Sequence, residues 1–573
     1  MMSSIGRRIG GALRGRSALM AAMAGASVAA AALAPAANQL AKAAAGEPTT
    51  VGGSPGFRRL NEGEYLRSID QIFGHGLKVP GRFDPPLRDE GLMAIGDGKV
   101  VVSPSGVEQY ELRAREIAAQ VMSPERRGKV LACAPQSTTA FDQACAAEFL
   151  GTYGRLLYRR PLAPQELASV LGVASAATGQ SHDFYKGLEI GLSRLLASPK
   201  FIFRVERGEP DPQRAGAERL DAYSLATRIS FLLWDSPPDA ELLDAAAAGD
   251  LNDHARLEAQ VDRMMASPRF EQGVRSFFSD MFGYEHFAGL TKDQAIYPKY
   301  TSTLAKDAQE QALRTIVELL ITQRGDYRDL FTTKKTFINR NLGALYKVAV
   351  DEGGMGDGWA PYTFTASDPR AGILTLPAFL MLDPTHEGRS SPTIRGKTVR
   401  ELFLCQQIPQ PPPNVDFSAV QNTGDLIHKT ARERLTIHRA DPSCAGCHKL
   451  TDPIGLSMEN YDAVGAFRAH ENGALIDASG TFDGKPYKDA IGLGVLLHDS
   501  PTVPACVVER AFEYGVGRSM TPSEQTWVDY AAERFAGDKY QFPALMRRIA
   551  TSEAFKSVSS ETAPAAVKVA AAR

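Results

Sequence analysis

The segment Ser443-Cys444-Ala445-Gly446-Cys447-His448 sets two thiols and an imidazole side by side. This is the C-x-x-C-H form required for covalent c-type haem attachment. Cysteines three apart lie on one face of a helical turn, so each thiol can add to a vinyl group of the porphyrin. The next residue, His448, then sits under the ring and can offer a nitrogen to the iron. The segment therefore reads as the seat of one covalent haem c, held by Cys444, Cys447 and His448. Three other chemistries use the same residue types: a short disulfide, a fragment of a zinc site, and a thioredoxin-like dithiol. A zinc site needs a second Cys or His pair, and none sits at ligand spacing. A thioredoxin-like dithiol needs a strand-to-helix entry within a βαβ pattern, which the sequence lacks.

The residues around the segment divide into candidate helpers. A ligating histidine needs an acceptor for its second ring nitrogen, and the carbonyl of Pro453 in the following turn is the expected one. Met458, His470, His498, Met520 and Met546 are the downstream candidates for a distal ligand. Met458 is closest in sequence, and core packing is its competing role. A sixth ligand would give an electron carrier, whereas an open position permits peroxidase-like chemistry or gas binding. Arg468 suits a haem propionate, because guanidinium matches carboxylate geometry; a solvated surface position is the alternative. A second constellation, His386, Arg389, Ser391 and Arg395, reads either as an anion or substrate site facing the haem or as a buried network holding an irregular loop. The second reading is preferred. Glu459 and Asp462 read as helix and turn residues, and His254 and His286 as surface or satisfied ones.

These residues must be placed by a chain of 573 residues, long enough for three or four domains. Hydrophobic residues make up 44% and charged residues 23%, with a formal net charge of -2. Nothing in that balance calls for a nucleic-acid partner or a basic membrane-binding surface. Residues 1–45 read as an export signal: Arg7, Arg8, Arg14 and Arg16, an Ala-rich apolar run, then Ala43-Ala44-Ala45 as a cleavage site. No later stretch reaches membrane-spanning length. The expected address is the periplasm or the exterior. In an oxidising compartment the four remaining cysteines suggest two disulfides. Cys133–Cys145 and Cys405–Cys506 are the favoured pairs; three pairings are possible, and sequence alone does not select one.

Periodicity makes the architecture mainly α, with a few short strands. Asn61 and Glu64 form a capping-box pattern ahead of a helix through Leu66, Ile69 and Phe73. Further helices are expected over about 104–122, within 141–206, from Asp221 to Trp234, and near 239–247, 253–266, 268–283, 303–325, 336–347 and 429–438. Residues 464–485 read as turns with a small hairpin. Helices close the chain near 488–498, 503–516, 522–535 and 541–554, before a low-complexity tail from Ser557.

The phrases FRRLNEGEYLRSI, LYRRPLAPQEL with LLASPKFIFRVE, RISFLLWDSPPDAELL, SPTIRGKTVRELFLC with PQPPPNV, CAGCHKLTDPIGLSMENYDAVGAFR and EYGVGR occur in this order. The chain resembles a family of exported multi-domain proteins abundant in planctomycetes and myxobacteria. The resemblance implies domains of unknown function 1587 over 57–130, 1595 over 141–206, 1592 over 219–347, 1588 with the C-x-x-C-H over 370–475, and 1585 over 486–556; the tail over 557–573 reads as disordered from its Ala/Val/Lys composition. The family is described as cytochrome-c-like, and the resemblance supplies no established reaction.

The expectation is an exported c-type haem protein with a periplasmic redox role, electron transfer or oxidation of an organic substrate. Its partner would be a periplasmic redox protein or an extracellular organic molecule. One alternative is a non-catalytic polysaccharide- or surface-binding protein with C-x-x-C as a structural disulfide; three Trp and no repeated aromatic platform weaken it. Another is a thiol–disulfide oxidoreductase using Cys444 and Cys447. No G-x-S-x-G, H-E-x-x-H, Walker A or Rossmann fingerprint supports hydrolase, protease or nucleotide chemistry.

Overall fold

The computed structural model describes residues 46–351, 357–382, 389–409, 427–440 and 442–559. The chain divides into two compact units, Met1–Pro48 and Thr49–Arg573, and the second is described below. The expected export signal, His386, the Pro411–Pro413 run and the tail beyond Ser559 lie outside the described residues.

The fold is mainly α, as periodicity predicts. A short strand, β1 (Phe57–Arg59), leads into helix α1 (Glu62–Phe73). Asn61 accepts from the Glu64 backbone and Glu64 reaches back to the Asn61 amide, so the capping box read from sequence is formed. Helices α2 (Pro104–Val121), α3 (Gln143–Tyr158), α4 (Pro164–Ser181) and α5 (Phe184–Leu196) follow. Their apolar stripes, including Tyr65, Ile117, Phe149, Leu188 and Leu195, bury together as one core. The Cys133–Cys145 disulfide staples the entry to α3.

Strands β2 (Phe203–Val205), β3 (Gly208–Pro210) and β4 (Glu218–Leu220) then cross the chain. β2 pairs antiparallel with β1, which returns the chain to its start. Helices α6 (Ala222–Trp234), α7 (Ala240–Ala248), α8 (His254–Ala266), α9 (Arg269–Met281) and α10 (Ser302–Val317) come next. α10 runs on into a π-helical turn, Glu318–Thr322. The helix expected over 336–347 is instead strand β5 (Lys335–Ile338) and a short helix, Arg340–Tyr346. β5 pairs with β6 (Ala360–Thr363), and the β-branched and aromatic run Thr336-Phe337-Ile338 explains that choice.

The C-terminal part comprises α11 (Pro392–Phe403), α12 (Ala431–His438) and α13 (Pro442–Leu456). Two hairpins follow, β7 (His470–Glu471) with β8 (Ala474–Leu475) and β9 (Gly480–Phe482) with β10 (Lys485–Tyr487). Helices α14 (Ala490–His498), α15 (Thr502–Val516), α16 (Pro522–Gly537) and α17 (Phe542–Thr551) end the helical part. The expected disordered tail begins differently: Ser557–Val558 form strand β11, which pairs with β4 through Arg219 and Glu218.

From Leu220 to Val558 the apolar faces merge into a single large core. Trp234, Phe278, Phe331, Phe403, Met458 and Trp527 are all in it, so the C-terminal helices share one interior with the middle ones rather than forming a separate globule. Among the described residues no single helix is long and apolar enough to cross a membrane. The bent pair α14–α15 passes on length and composition together, but Leu493, Leu497, Val503 and Val507 of that pair are core residues.

Candidate functional site at the C-x-x-C-H helix

Helix α13 carries Cys444, Cys447 and His448 in its first turns. At i, i+3 and i+4 the three side chains share one face, and all three residues are partly exposed. Neither cysteine takes part in a disulfide; the other four are joined as Cys133–Cys145 and Cys405–Cys506. Both pairings favoured from the sequence are therefore formed. The second links the end of α11 to α15, closing the chain around the C-x-x-C-H segment.

The same face of α13, one to two turns further on, lies against α11 at Thr451 and Gly455, and two glycines set the distance. A Cβ on Gly396 would stand 1.9 Å from the Thr451 carbonyl oxygen, and one on Gly455 would stand 1.6 Å from that of Pro392. No larger residue fits either backbone approach. Ser391 caps α11 by accepting from the Ile394 amide, and Pro392 opens its first turn.

This close packing brings Thr393 to the imidazole of His448. His448 Nδ1 is 2.9 Å and 3.0 Å from the two carboxylate oxygens of Asp452, one helical turn onward. Asp452 is fully buried, and Thr393 Oγ1 donates to its Oδ1 at 2.9 Å. A carboxylate only accepts, which puts the ring proton on Nδ1 and leaves the Nε2 lone pair for a metal. The expected acceptor, the Pro453 carbonyl, is not the partner of His448. It accepts from the Tyr487 hydroxyl, while Asp452, four residues after His448, stands directly over the ring in helical spacing. On the other side the ring of His438 meets His448 edge-on, with centroids 4.8 Å apart.

Behind the helix pair sits Arg395. Its guanidinium donates to the carbonyls of Met458 (3.0 Å), Tyr461 (2.8 Å), Leu380 (3.1 Å) and Asp462 (2.7 Å), and to Glu459 Oε1 (3.2 Å). Burial, working against the Glu459 charge, holds its pKa below the usual arginine value. Arg468 is tied to the same carboxylate, at 2.8 Å from Glu459 Oε2, and Ser390 completes the set at 3.2 Å. Arg395 thus belongs to a buried network that fixes the irregular 458–462 segment, the structural reading preferred from sequence. Arg468 has Glu459 as its partner. Lys292 comes in from a distant loop: burial and the Arg395 charge lower its pKa to about 8. Of the distal-ligand candidates, Met458, Met520 and Met546 are core residues. His470 is exposed on β7, and His498 pairs with Asp329 and Asp499.

Sequence reading missed Asp452, Thr393, His438 and Lys292 as members of the site. Asp452 had a signal, since an acid four residues after a candidate ligand faces it on any helix. Thr393 and Lys292 had none, because their proximity is set by long-range packing.

Four family models match the chain: DUF1595 over residues 145–206, DUF1592 over 220–348, DUF1588 over 370–471 and DUF1585 over 483–555, each described as a protein of unknown function. The chain carries these four domains of unknown function. In those terms the thiol pair, His448, Asp452 and the Arg395 network all fall in the DUF1588 region, Lys292 comes from the DUF1592 region, and Tyr487 from the DUF1585 region. The stretch 57–130, expected as DUF1587, lies outside the four matches. No curated relative and no solved structure matches the chain.

Proposed function

We propose that this is an exported protein with a redox role outside the cytoplasm, in which Cys444 and Cys447 would hold one covalent haem c and His448 would supply a nitrogen to its iron. The observation that carries the reading is the donor set on one helix face. Two thiols and an imidazole stand at i, i+3 and i+4, with the imidazole proton held on Nδ1 by Asp452. That set fits the group. Cys444 and Cys447 would supply the thioether sulfurs and His448 Nε2 the iron ligand, and the haem when bound supplies one-electron chemistry. The protein's own part is to orient: α11 fixes α13 through the two glycine contacts, and Asp452 fixes the ring plane and tautomer of His448. The partner is a periplasmic redox protein or an organic molecule outside the cell, and the function is electron transfer or oxidation of that molecule.

The test is to purify the mature protein from a host competent in cytochrome c maturation. A Soret band and a haem stain that survives denaturation are expected, with peptide masses placing the porphyrin on Cys444 and Cys447. A colourless product with these sulfurs joined to each other sinks the reading. That outcome would favour a structural disulfide or a thiol–disulfide oxidoreductase.

A further inference from the structure

We infer that Asp452 is a positioning residue that holds the haem iron at low reduction potential, an inference that rests on the haem reading above. The argument begins with what His448 touches. A neutral carbonyl partner would orient the ring and do little else. A carboxylate also pushes electron density into the imidazole through the Nδ1 hydrogen bond, which raises the donor strength of Nε2. A stronger donor stabilises ferric over ferrous iron and lowers the potential.

Three features direct that push at the ring. Asp452 is fully buried, so water does not screen it. Among the described residues no Lys or Arg lies within ion-pair distance of it, and His448 is its charged-type partner. Its remaining contacts are hydroxyls, Thr393 Oγ1 at 2.9 Å and Thr451 Oγ1 at 3.4 Å. Both oxygens stay within hydrogen-bond reach of Nδ1, and Thr393 is held in place because the Gly396 and Gly455 approaches leave α11 no room to slide. The Pro453 carbonyl, the neutral alternative one residue on, is engaged by Tyr487. The pair is therefore built as carboxylate–imidazole.

Thr393 supplies an opposing control. Its hydroxyl draws charge from Oδ1, so its removal leaves Asp452 a stronger acceptor. The experiment measures midpoint potentials by spectroelectrochemistry on the matured full chain, after haem content and covalent attachment have been checked. Asp452→Asn should raise the potential by at least tenfold in the ferric/ferrous equilibrium, about 59 mV for one electron. Thr393→Val should shift it the other way and by less. Loss of packing alone gives no reason for opposite signs at Asp452 and Thr393. If Asp452→Asn fails to fold or load haem, the Thr393→Val shift decides: a downward shift supports the inference and none overturns it. A haem-loaded Asp452→Asn protein at wild-type potential overturns this inference alone. A wild-type protein without covalent haem overturns both it and the reading beneath it.

Discussion

Two buried arginine clusters hold this molecule together, and they are built differently. One lies where α1, β2, α6, α9 and α15 meet. There Glu206 accepts from Arg228 Nε at 2.8 Å and from the Gly56 amide at 2.6 Å, and Arg204 pairs with Glu64 at 3.0 Å. Arg58 donates to the Gly515 carbonyl at 3.1 Å and, buried beside Arg204, has its pKa pushed down to about 9. A cavity of about 300 Å³ opens among Glu64, Arg67, Arg204, Asp235, Asp280 and Tyr514. The other cluster is Arg395 with Glu459 and Arg468. In the first, Arg204 and Arg228 answer carboxylates while Arg58 donates to carbonyls of α15; in the second, Arg395 spends four of its five hydrogen bonds on backbone carbonyls. The first therefore joins distant parts of the chain through charge. The second moulds the loop that follows α13, a helix whose first turns carry half-exposed reactive groups. Charge pairing between distant segments marks the staple, and partial exposure beside a rigid backing marks the site.

The comparison can be broken at the link between the regions. Replacing Cys405 and Cys506 together by Ser should cost about 4–5 kcal/mol, the loop-closure value for a span of 101 residues, read by urea unfolding. A change under about 1 kcal/mol would mean that helix packing alone fixes α11 to α15. Within the first region, Glu206→Gln should cost about 3–5 kcal/mol, because Arg228 and Arg58 would keep buried charge without an answering carboxylate. It should leave haem attachment per folded molecule unchanged. Gly455→Ala should show the opposite profile. It should cost about 1–3 kcal/mol from forced separation of α11 and α13, with a larger fractional loss of covalent haem. If the two variants lose haem in equal proportion to stability, the division of labour is wrong.

The smallest expected effect is a slope. Burial pushes Asp280 up to about 6 against the pull of Arg88. The native state then keeps a proton that the unfolded chain gives up, so this group subtracts stability as pH rises from about 4 to about 6. Asp280→Asn should flatten that part of the pH profile. Glu206 runs the other way. Burial raises it, but the charges and hydrogen bonds of Arg228 and the Arg58 charge prevail and hold it at about 2. Its contribution is present above the ordinary carboxylate range and is lost as pH falls toward 2. Urea midpoints at pH 4, 5 and 6 check the first, and midpoints below pH 4 the second.

Local features were legible in the sequence because local chemistry decides them. The Asn61–Glu64 box, the Asp221 cap and the ends of most helices depend on residues within one turn. The Cys405–Cys506 pair was favoured from sequence among three possible pairings, and only the fold selects it. The β5 strand was misread because a short apolar run fits either period, and only its partner β6 selects the sheet. The core of the site was half legible. Cys444, Cys447 and His448 announce themselves, but the Gly396 and Gly455 approaches, which bring Thr393 to Asp452, join stretches more than fifty residues apart in sequence. Of the residues singled out with Arg395, Ser391 serves as a helix cap, while Arg395 meets Ser390 through Glu459.

The Cys405–Cys506 bridge has a bearing on how the protein is made. On the proposed function, four cysteines of the DUF1588 and DUF1585 regions would enter one oxidising space, two to end as a cross-link and two to keep their hydrogens until porphyrin is attached. Docking of α11 on α15 sets the Cα atoms of Cys405 and Cys506 5.4 Å apart. Tertiary assembly thereby sorts the sulfurs by neighbourhood, and a chain that oxidises before its helices dock faces a choice of partners that the finished fold never offers.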